Sequence, residues 1–248
     1  MKVALIIGKD RSTGIPGKNW RPILGRPMVE YPLMAAYNCN SIDKIYVSTD
    51  SPTIKNISSK YDVNIIDRPK ELALPSSATE DVFEHAWNII KTDASDKNKV
   101  DGVCLMFANS PDTLPSYLSS ALAKLDDNDE FDSVISISKY NMFTPLRARK
   151  IVGNYSEPVL DLDKLGIENT FDRDAMGDIF FADFGVQAVK PYRCLENARS
   201  GSLPYRWLGK KQGYIIKDYG FDIDYEWQFA VIEKWLTDQG FSETTTPY

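Results

Sequence analysis

Residues 3–7 form an uninterrupted apolar run, Val-Ala-Leu-Ile-Ile, closed by Gly8. Such a run without polar alternation fits a strand buried on both faces, as inside a parallel sheet. Strand and helix patterns then alternate. Pro27 opens a helix to about residue 38, with Pro32 in its early turns, and residues 44–49 read as a second strand. Ser51-Pro52 caps and starts a helix to about residue 61, and residues 63–66 make a short strand. Val82, Phe83, Ala86, Ile89 and Ile90 recur at helical spacing and predict a helix over 77–91. A buried strand over 102–107, a helix over 115–125 and an alternating strand over 133–138 follow. This order predicts an α/β fold with a doubly wound, mostly parallel, Rossmann-like sheet and right-handed crossovers.

The alternation breaks after residue 140. Residues 141–178 are polar, rich in Asp and Arg, and lack a long periodic run. That is too long for an ordinary connection, so the segment is expected to leave the sheet as a lid or a dimerisation arm. Residues 179–189 read as a strand again, 214–216 as a short strand and 224–236 as the closing helix, with 242–248 expected to fray. The organisation expected is one domain over 1–248, with 141–178 inserted into it.

Composition narrows the class. The chain has 248 residues, 43% hydrophobic and 26% charged, which is ordinary for a globular protein and large enough to bury a core unaided. The net charge of −6 argues against a nucleic-acid binder with a wholly basic surface. Residues 9–26 run the other way: Lys9, Arg11, Lys18, Arg21 and Arg26 face only Asp10. Cys39, Cys104 and Cys194 lie far apart without a CxxC pair, and His85 is the single histidine. These features predict reduced, buried thiols and no structural zinc. The apolar run at 3–7 is too short for a signal peptide or a membrane span. A cytoplasmic protein with no membrane partner is expected.

Ligands of open α/β sheets bind at the carboxyl ends of the strands. The loop after the first strand is Gly8-Lys-Asp-Arg-Ser-Thr-Gly14-Ile-Pro-Gly17-Lys18-Asn19. It contains neither a dinucleotide-binding G-x-G-x-x-G nor a Walker A loop, because Ser12 stands where the first glycine belongs and Asn19 follows the lysine. The missing fingerprint disfavours an NAD-dependent oxidoreductase. The composition nevertheless suits phosphate: glycines admit backbone N–H groups, Ser12 donates, and Lys9 and Lys18 supply charge. A solvated basic turn is the alternative.

The stretch Gly14 to Pro27, G-I-P-G-K-N-W-R-P-I-L-G-R-P, is similar to the K-G-I-P-x-K-N-L-R-P-L-x-G-K-P signature of the cytidylyltransferases that make CMP-activated sugar acids. Three further segments resemble that family in order: Tyr46-Val-Ser-Thr-Asp50, Arg68-Pro-Lys-Glu-Leu-Ala73, and Asp222-Ile-Asp224 followed by a helix. The resemblance covers residues 3–92 closely and 213–238 more loosely. It implies a nucleotidyltransferase sheet, CTP and a small anionic acceptor as substrates, Mg²⁺ and a homodimer.

Position by position, the resemblance makes Lys18 the chief catalytic cation against the triphosphate. Lys9 stands in place of the family's arginine, keeping the charge but not the bidentate fork. Ser12, Gly14 and Asn19 match the rest of the nucleotide loop. Arg68 and Thr79 match positions that contact the cytosine. Asp222 and Asp224 match the metal pair; alternation about Ile223 places both carboxylates on one side of an extended segment, and two hard oxygen donors suit Mg²⁺. Asp224 also reads as a helix N-cap.

The acceptor half departs from the pattern. The family's Q-P-T-S-P-L-R stands here as Phe107-Ala-Asn109-Ser110-Pro111-Asp112-Thr113, and its R-x-N-G-A-x-Y as Ala182-Asp-Phe-Gly185-Val-Gln187. Asn109 and Gln187 remain candidate acceptor contacts. Arg147, Arg149 and Arg173 are candidates for an acceptor carboxylate, with interface ion pairs as the alternative. Asp112 offers an extra metal ligand or acceptor contact, and His85 reads as a packed side chain.

The reaction expected is CMP transfer from CTP to a nonulosonate or related sugar acid, with release of pyrophosphate. Either Asp224 or a metal-bound hydroxide would take the acceptor's proton. A phosphonate acceptor and a non-catalytic nucleotide-binding protein on the same fold are the rival readings. In the arm, Met142, Phe143, Leu146, Val159, Leu160, Leu162, Leu165 and Phe171 are too many apolar side chains to leave in water, and they predict burial against a second subunit.

Overall fold

The computed structural model describes residues 1–11, 14–94, 99–166, 177–220 and 222–248. Seven strands make the central sheet: β1 (Lys2–Ile7), β4 (Lys44–Thr49), β5 (Asn64–Asp67), β6 (Gly102–Phe107), β7 (Ser133–Lys139), β10 (Phe180–Val189) and β11 (Gln212–Lys217). Their spatial order is β11-β7-β10-β6-β1-β4-β5. β1 pairs in parallel with both β4 and β6, and β11 pairs in parallel with β7. β10 runs antiparallel to β6 and β7. The strand was expected over 179–189, but its antiparallel direction was not.

Helices α1 (Glu30–Tyr37), α2 (Pro52–Ser58) and α4 (Pro115–Asp126) cover one face of the sheet, and α3 (Thr79–Asp93) with the short α5 (Pro191–Cys194) covers the other. β1 explains the continuous apolar run: Ala4 and Ile6 pack toward the first face, Val3 and Leu5 toward the second, and all four are buried. Pro115 opens α4, and the Ser51 hydroxyl accepts the Ile54 N–H at the start of α2. A third cluster joins α1 to α6 (Glu226–Asp238) through Tyr31, Met34, Ile223, Phe229 and Ile232. Cys39, Cys104 and Cys194 are unpaired and buried.

Three expectations need correction. Pro27 ends a small hairpin, β2 (Pro22–Ile23) and β3 (Arg26–Pro27), and α1 begins three residues later. The hairpin turn places Leu24 and Gly25 both at positive φ, 45° and 74°, the backbone that two-residue hairpin loops require. Second, the excursion contains a hairpin, β8 (Arg149–Val152) paired with β9 (Tyr155–Pro158), turning at Gly153. Third, the C-terminal tail is tied down: Tyr248 packs edge-on against Phe241, Arg26 donates to the Ser242 carbonyl, and the Ser242 hydroxyl accepts from the Thr245 N–H.

Candidate active site

The loops at the carboxyl ends of β1, β4, β6 and β11 converge. Gly8 ends β1 so close to β6 that a Cβ there would lie 2.7 Å from the Ala108 Cβ. The chain then turns through Gly17, at φ 70°, into a single 3₁₀ turn, Lys18–Trp20. Asn19 is buried, and its amide donates to the Lys9 carbonyl at 2.9 Å, so it closes the loop on itself. On the other flank Asp10 accepts from the Ser51 hydroxyl at 2.6 Å, while its own N–H donates to Asp50 at 2.9 Å. The loop is therefore latched to the end of β4.

Lys18 points across the sheet end. Its ammonium donates to Asp224 at 2.6 Å and to the Ile223 carbonyl at 2.8 Å. Gly14 lies against the same segment, where a Cβ would come within 3.3 Å of the Asp224 carbonyl oxygen. The segment is fixed from below by Asn109, whose carbonyl accepts the Ile223 N–H at 3.0 Å and whose amide donates to the Ile223 carbonyl at 3.3 Å. Asn109, a candidate acceptor contact by sequence, thus braces the two aspartates. Asp224 does not cap α6. Tyr225 holds the cap position, and the Gln228 amide oxygen accepts the Asp224 and Tyr225 N–H groups, leaving the Asp224 carboxylate to Lys18.

Asp222 is half-buried and accepts from the Ser110 hydroxyl. Burial pushes its carboxyl up to about 7, and the nearby charges of Asp112 and Asp224 add to the effect, while Ser110 and Lys18 oppose it. A carboxylate held this far from its ordinary range is one that a cation would relieve. With Asp224 it supplies two hard oxygen donors beside a phosphate-type loop, which fits an ion that shares its shell with water and substrate phosphates. Among the described residues no group of three or more His, Cys, Asp or Glu side chains forms an all-protein metal cage.

On the opposite flank Arg68 leaves the end of β5 and is buried. Its guanidinium donates to the Ser48 carbonyl at 2.6 Å, and desolvation lowers its pKa to about 10 against the pull of Asp50. Thr79 is the first residue of α3. His85, farther along α3, has a buried, unpartnered Nδ1, and its pKa is lowered by burial and then by Arg68.

A cavity of about 1160 Å³ opens beside the aspartates, lined by Asp222 and Asp224 themselves, by residues of β7 and β10 and by the loop after β11. Asp183, one of its lining residues, belongs to a buried ion cluster that pattern reading did not assemble. Lys217, fully buried, pairs with Asp112 at 2.7 Å and approaches Asp183 at 3.6 Å, and Asp183 also accepts from the Ser136 and Ser138 hydroxyls. Burial alone would lower the Lys217 pKa, but Asp112 and Asp183 outweigh it and the net shift is upward. Asp112 therefore serves this buried cluster. Gly185 and Gly220 close over the ammonium, where a Cβ would come within 2.2 and 2.8 Å of it. β10 shifts register between Ala182 and Gln187, and Phe184 sits in this bulge at φ 59° with its ring 4.6 Å from that of Tyr205.

The other candidates lie apart from this lining. Gln187 is buried within the sheet and accepts from the Trp207 indole at 2.8 Å. Arg149 is exposed in β8 and donates to the Ser156 carbonyl at 2.7 Å. Arg147 is exposed in the turn before it. Ser12, Phe171 and Arg173 fall outside the described residues.

A family model described as cytidylyltransferase matches residues 3–149, more than half of the chain. The chain belongs to the cytidylyltransferase family. It is 26% identical over 238 residues to the N-acylneuraminate cytidylyltransferase of Oncorhynchus mykiss, covering 96% of this chain and 51% of that protein. It is 24% identical over 184 residues to the Escherichia coli N-acylneuraminate cytidylyltransferase, covering 73% of this chain and 42% of that one. The chain thus spans about half the length, or less, of the curated relatives it matches. Among solved structures, CMP:2-keto-3-deoxy-manno-octonic acid synthetase complexed with CTP superposes with a TM-score of 0.66 at 13% identity, over 96% of this chain and 99% of that one. The 4-diphosphocytidyl-2C-methyl-D-erythritol synthase of Anaerococcus prevotii gives 0.60 at 18% identity, over 95% and 96% of the two chains. These likenesses show the fold, the mostly parallel nucleotidyltransferase sheet with flanking helices. Among the described residues no helix is long and apolar enough to cross a membrane.

Proposed function

We propose that the protein transfers CMP from CTP to a sugar acid. An acceptor hydroxyl oxygen bonds to the α-phosphorus, the bond from that phosphorus to the bridging oxygen breaks, and pyrophosphate leaves with the electron pair. The observation that carries the reading is the meeting of Lys18 with Asp224, beside Asp222, at the carboxyl ends of the strands. Lys18 and Lys9 neutralise charge on the departing pyrophosphate, and Gly14 leaves backbone room beside it. Arg68 and Thr79 flank the cytosine side. The Lys18–Asp224 contact opens as phosphate takes the ammonium; the acceptor's proton passes to one Asp224 carboxylate oxygen, and the other is left for a cation.

Asp222 and Asp224 would hold a Mg²⁺ ion, which supplies charge stabilisation for the phosphoryl oxygens when bound. The sugar-acid class is supported by the N-acylneuraminate relatives, one of which aligns with this chain over 238 residues at 26% identity. A homodimer is part of the proposal: the arm exposes Phe143, Ile151 and Tyr155, with Ile151 at 85%. In that dimer Arg147, Arg149 or Arg173 of one subunit approaches the acceptor pocket of the other.

The test is pyrophosphate release from CTP with a panel of sugar acids and phosphonates, with and without a chelator. Release that requires both a sugar acid and a divalent ion is expected. Release only with phosphonates would move the acceptor class, and CTP binding without turnover on any acceptor would favour a sensing role.

A further inference from the structure

Lys217 ends β11 with its side chain fully buried, and its ammonium faces two carboxylates, Asp112 at 2.7 Å and Asp183 at 3.6 Å. Stability is a poor reason for such a cluster, because well-packed apolar side chains of the same volume often hold a core equally well or better. Its desolvation is also incompletely offset: Asp112 Oδ1 is buried without a partner. What an ion pair adds over an apolar contact is direction. A charge-assisted hydrogen bond fixes distance and angle, whereas burial of apolar surface does neither.

The position of the cluster gives that direction a use. Asp112 belongs to the turn after β6, and its neighbours on the turn reach separate parts of the fold. Asn109 exchanges two hydrogen bonds with Ile223, the Ser110 hydroxyl donates to Asp222, and the Thr113 hydroxyl donates to the Gly185 carbonyl at 2.7 Å. Lys217 itself leads into the chain that carries Asp222 and Asp224. Gly220, between them, passes directly over the pair: a Cβ there would lie 2.6 Å from Asp112 Oδ2 and 2.8 Å from the ammonium. The Lys217–Asp112 contact therefore ties the root of the aspartate segment to the turn that braces it.

Resting on the CMP-transfer reading above, we propose that Lys217 is a positioning residue of the reaction: by anchoring Asp112 it fixes the turn over 109–113, and through Ser110 and Asn109 that turn sets where Asp222 and Asp224 stand. Lys217 does not line the cavity, so its influence reaches the reaction through the turn alone.

The experiment uses the neutralised pair Lys217→Met/Asp112→Asn, in which Asp183 keeps the Ser136 and Ser138 hydroxyls and the Gly185 N–H, together with Ser110→Ala and the triple variant. At saturating Mg²⁺ and acceptor, kcat of the double variant should fall roughly 10- to 10²-fold, the scale of a displacement of up to about 1 Å. The KM for CTP should stay within ~2-fold, because Lys9, Arg68 and Thr79 are untouched. The losses should not multiply: the triple variant should lie within ~3-fold of the poorer of the double variant and Ser110→Ala, since both changes cut one route. Amide exchange adds a reading that needs no turnover. The Ile223 N–H, held by the Asn109 carbonyl at 3.0 Å, should exchange at least ~10-fold faster relative to the β1 amides in the double variant. Unchanged kcat, or losses that multiply in the triple variant, overturns the proposal, and so does Ile223 exchange that keeps its ratio to β1. If the double variant does not fold, Asp112→Asn alone enters the same cycle and the same outcomes decide. A parent protein that transfers CMP to no acceptor overturns the transfer reading, and the Ile223 exchange then decides by itself whether Lys217 fixes the segment.

Discussion

The aspartate pair and Lys18 act as one unit, because each sets the charge the others feel. Asp222→Asn or Asp224→Asn should lower kcat by at least ~10²-fold, the scale of losing a transition-state charge stabiliser. Far-ultraviolet circular dichroism should stay unchanged, since both side chains reach a cavity. Turnover like that of the parent protein in both variants would sink the metal assignment. The raised Asp222 pKa gives a second expectation. A metal ion must displace a proton held up to about 7, so apparent Mg²⁺ affinity should weaken as pH falls from about 8 to about 6. In the metal-free protein the linkage runs the other way: stability from this group is present below its ordinary 3.8 and is lost as pH rises through about 7. Urea midpoints across that range, with chelator present, check the sign. Lys217 is a different case. Removing its charge by Lys217→Met strands Asp112 and Asp183 in the interior, and a loss of about 3–5 kcal/mol is expected. Adding Asp112→Asn should restore part of it, and a double-mutant urea series measures the coupling.

The elements around the loop after β1 were readable one by one. β4 and β6 keep the boundaries that their apolar runs set, and α3 keeps its apolar stripe with a start two residues later. The errors fall where local signals compete. Pro27 suits a helix N-terminus, but Leu24-Gly25 forms a hairpin turn first. β8 and β9 escaped notice because most of their residues are exposed, which leaves no buried face to imprint alternation. That same exposure argues that the hairpin adds little to the sheet's stability. Replacing residues 149–158 by a short Gly/Ser turn should shift Tm by only a few degrees, the scale of about 1 kcal/mol in a chain of this size. A collapse of the cooperative transition would show that the hairpin belongs to the core. The β10 bulge also lay beyond pattern reading: Phe184 at positive φ is tolerated because Phe107 and Tyr205 grip its ring from two sides.

For the whole molecule the open question is where the arm's apolar side chains go. Burying several of them on a partner would contribute roughly 1.5–3 kcal/mol each, enough for a dimer at micromolar concentration. Sedimentation should therefore return a dimer for the full chain and a weaker one for the hairpin-replaced variant. If the arm crosses to the partner's acceptor pocket, mixing an inactive Asp224→Asn protein with an inactive arm-arginine variant should regain part of the activity. No recovery in demonstrated mixed dimers would leave each arm over its own site.

The sequence by itself determined the strand–helix alternation and the glycine- and lysine-bearing loop after β1, because these depend on local periodicity and on a short segment of neighbouring residues. It could not determine that β10 runs backward or that Asn109 braces Ile223 from more than a hundred residues away. Nor could it bring Lys217, Asp112 and Asp183 into one buried cluster, or gather six rings around one cavity. Those arrangements arise where strand ends meet, and long-range packing of residues with no shared periodicity decides them. The loop after β1 carries its pattern along the chain, whereas the cluster around Lys217 is assembled across the fold.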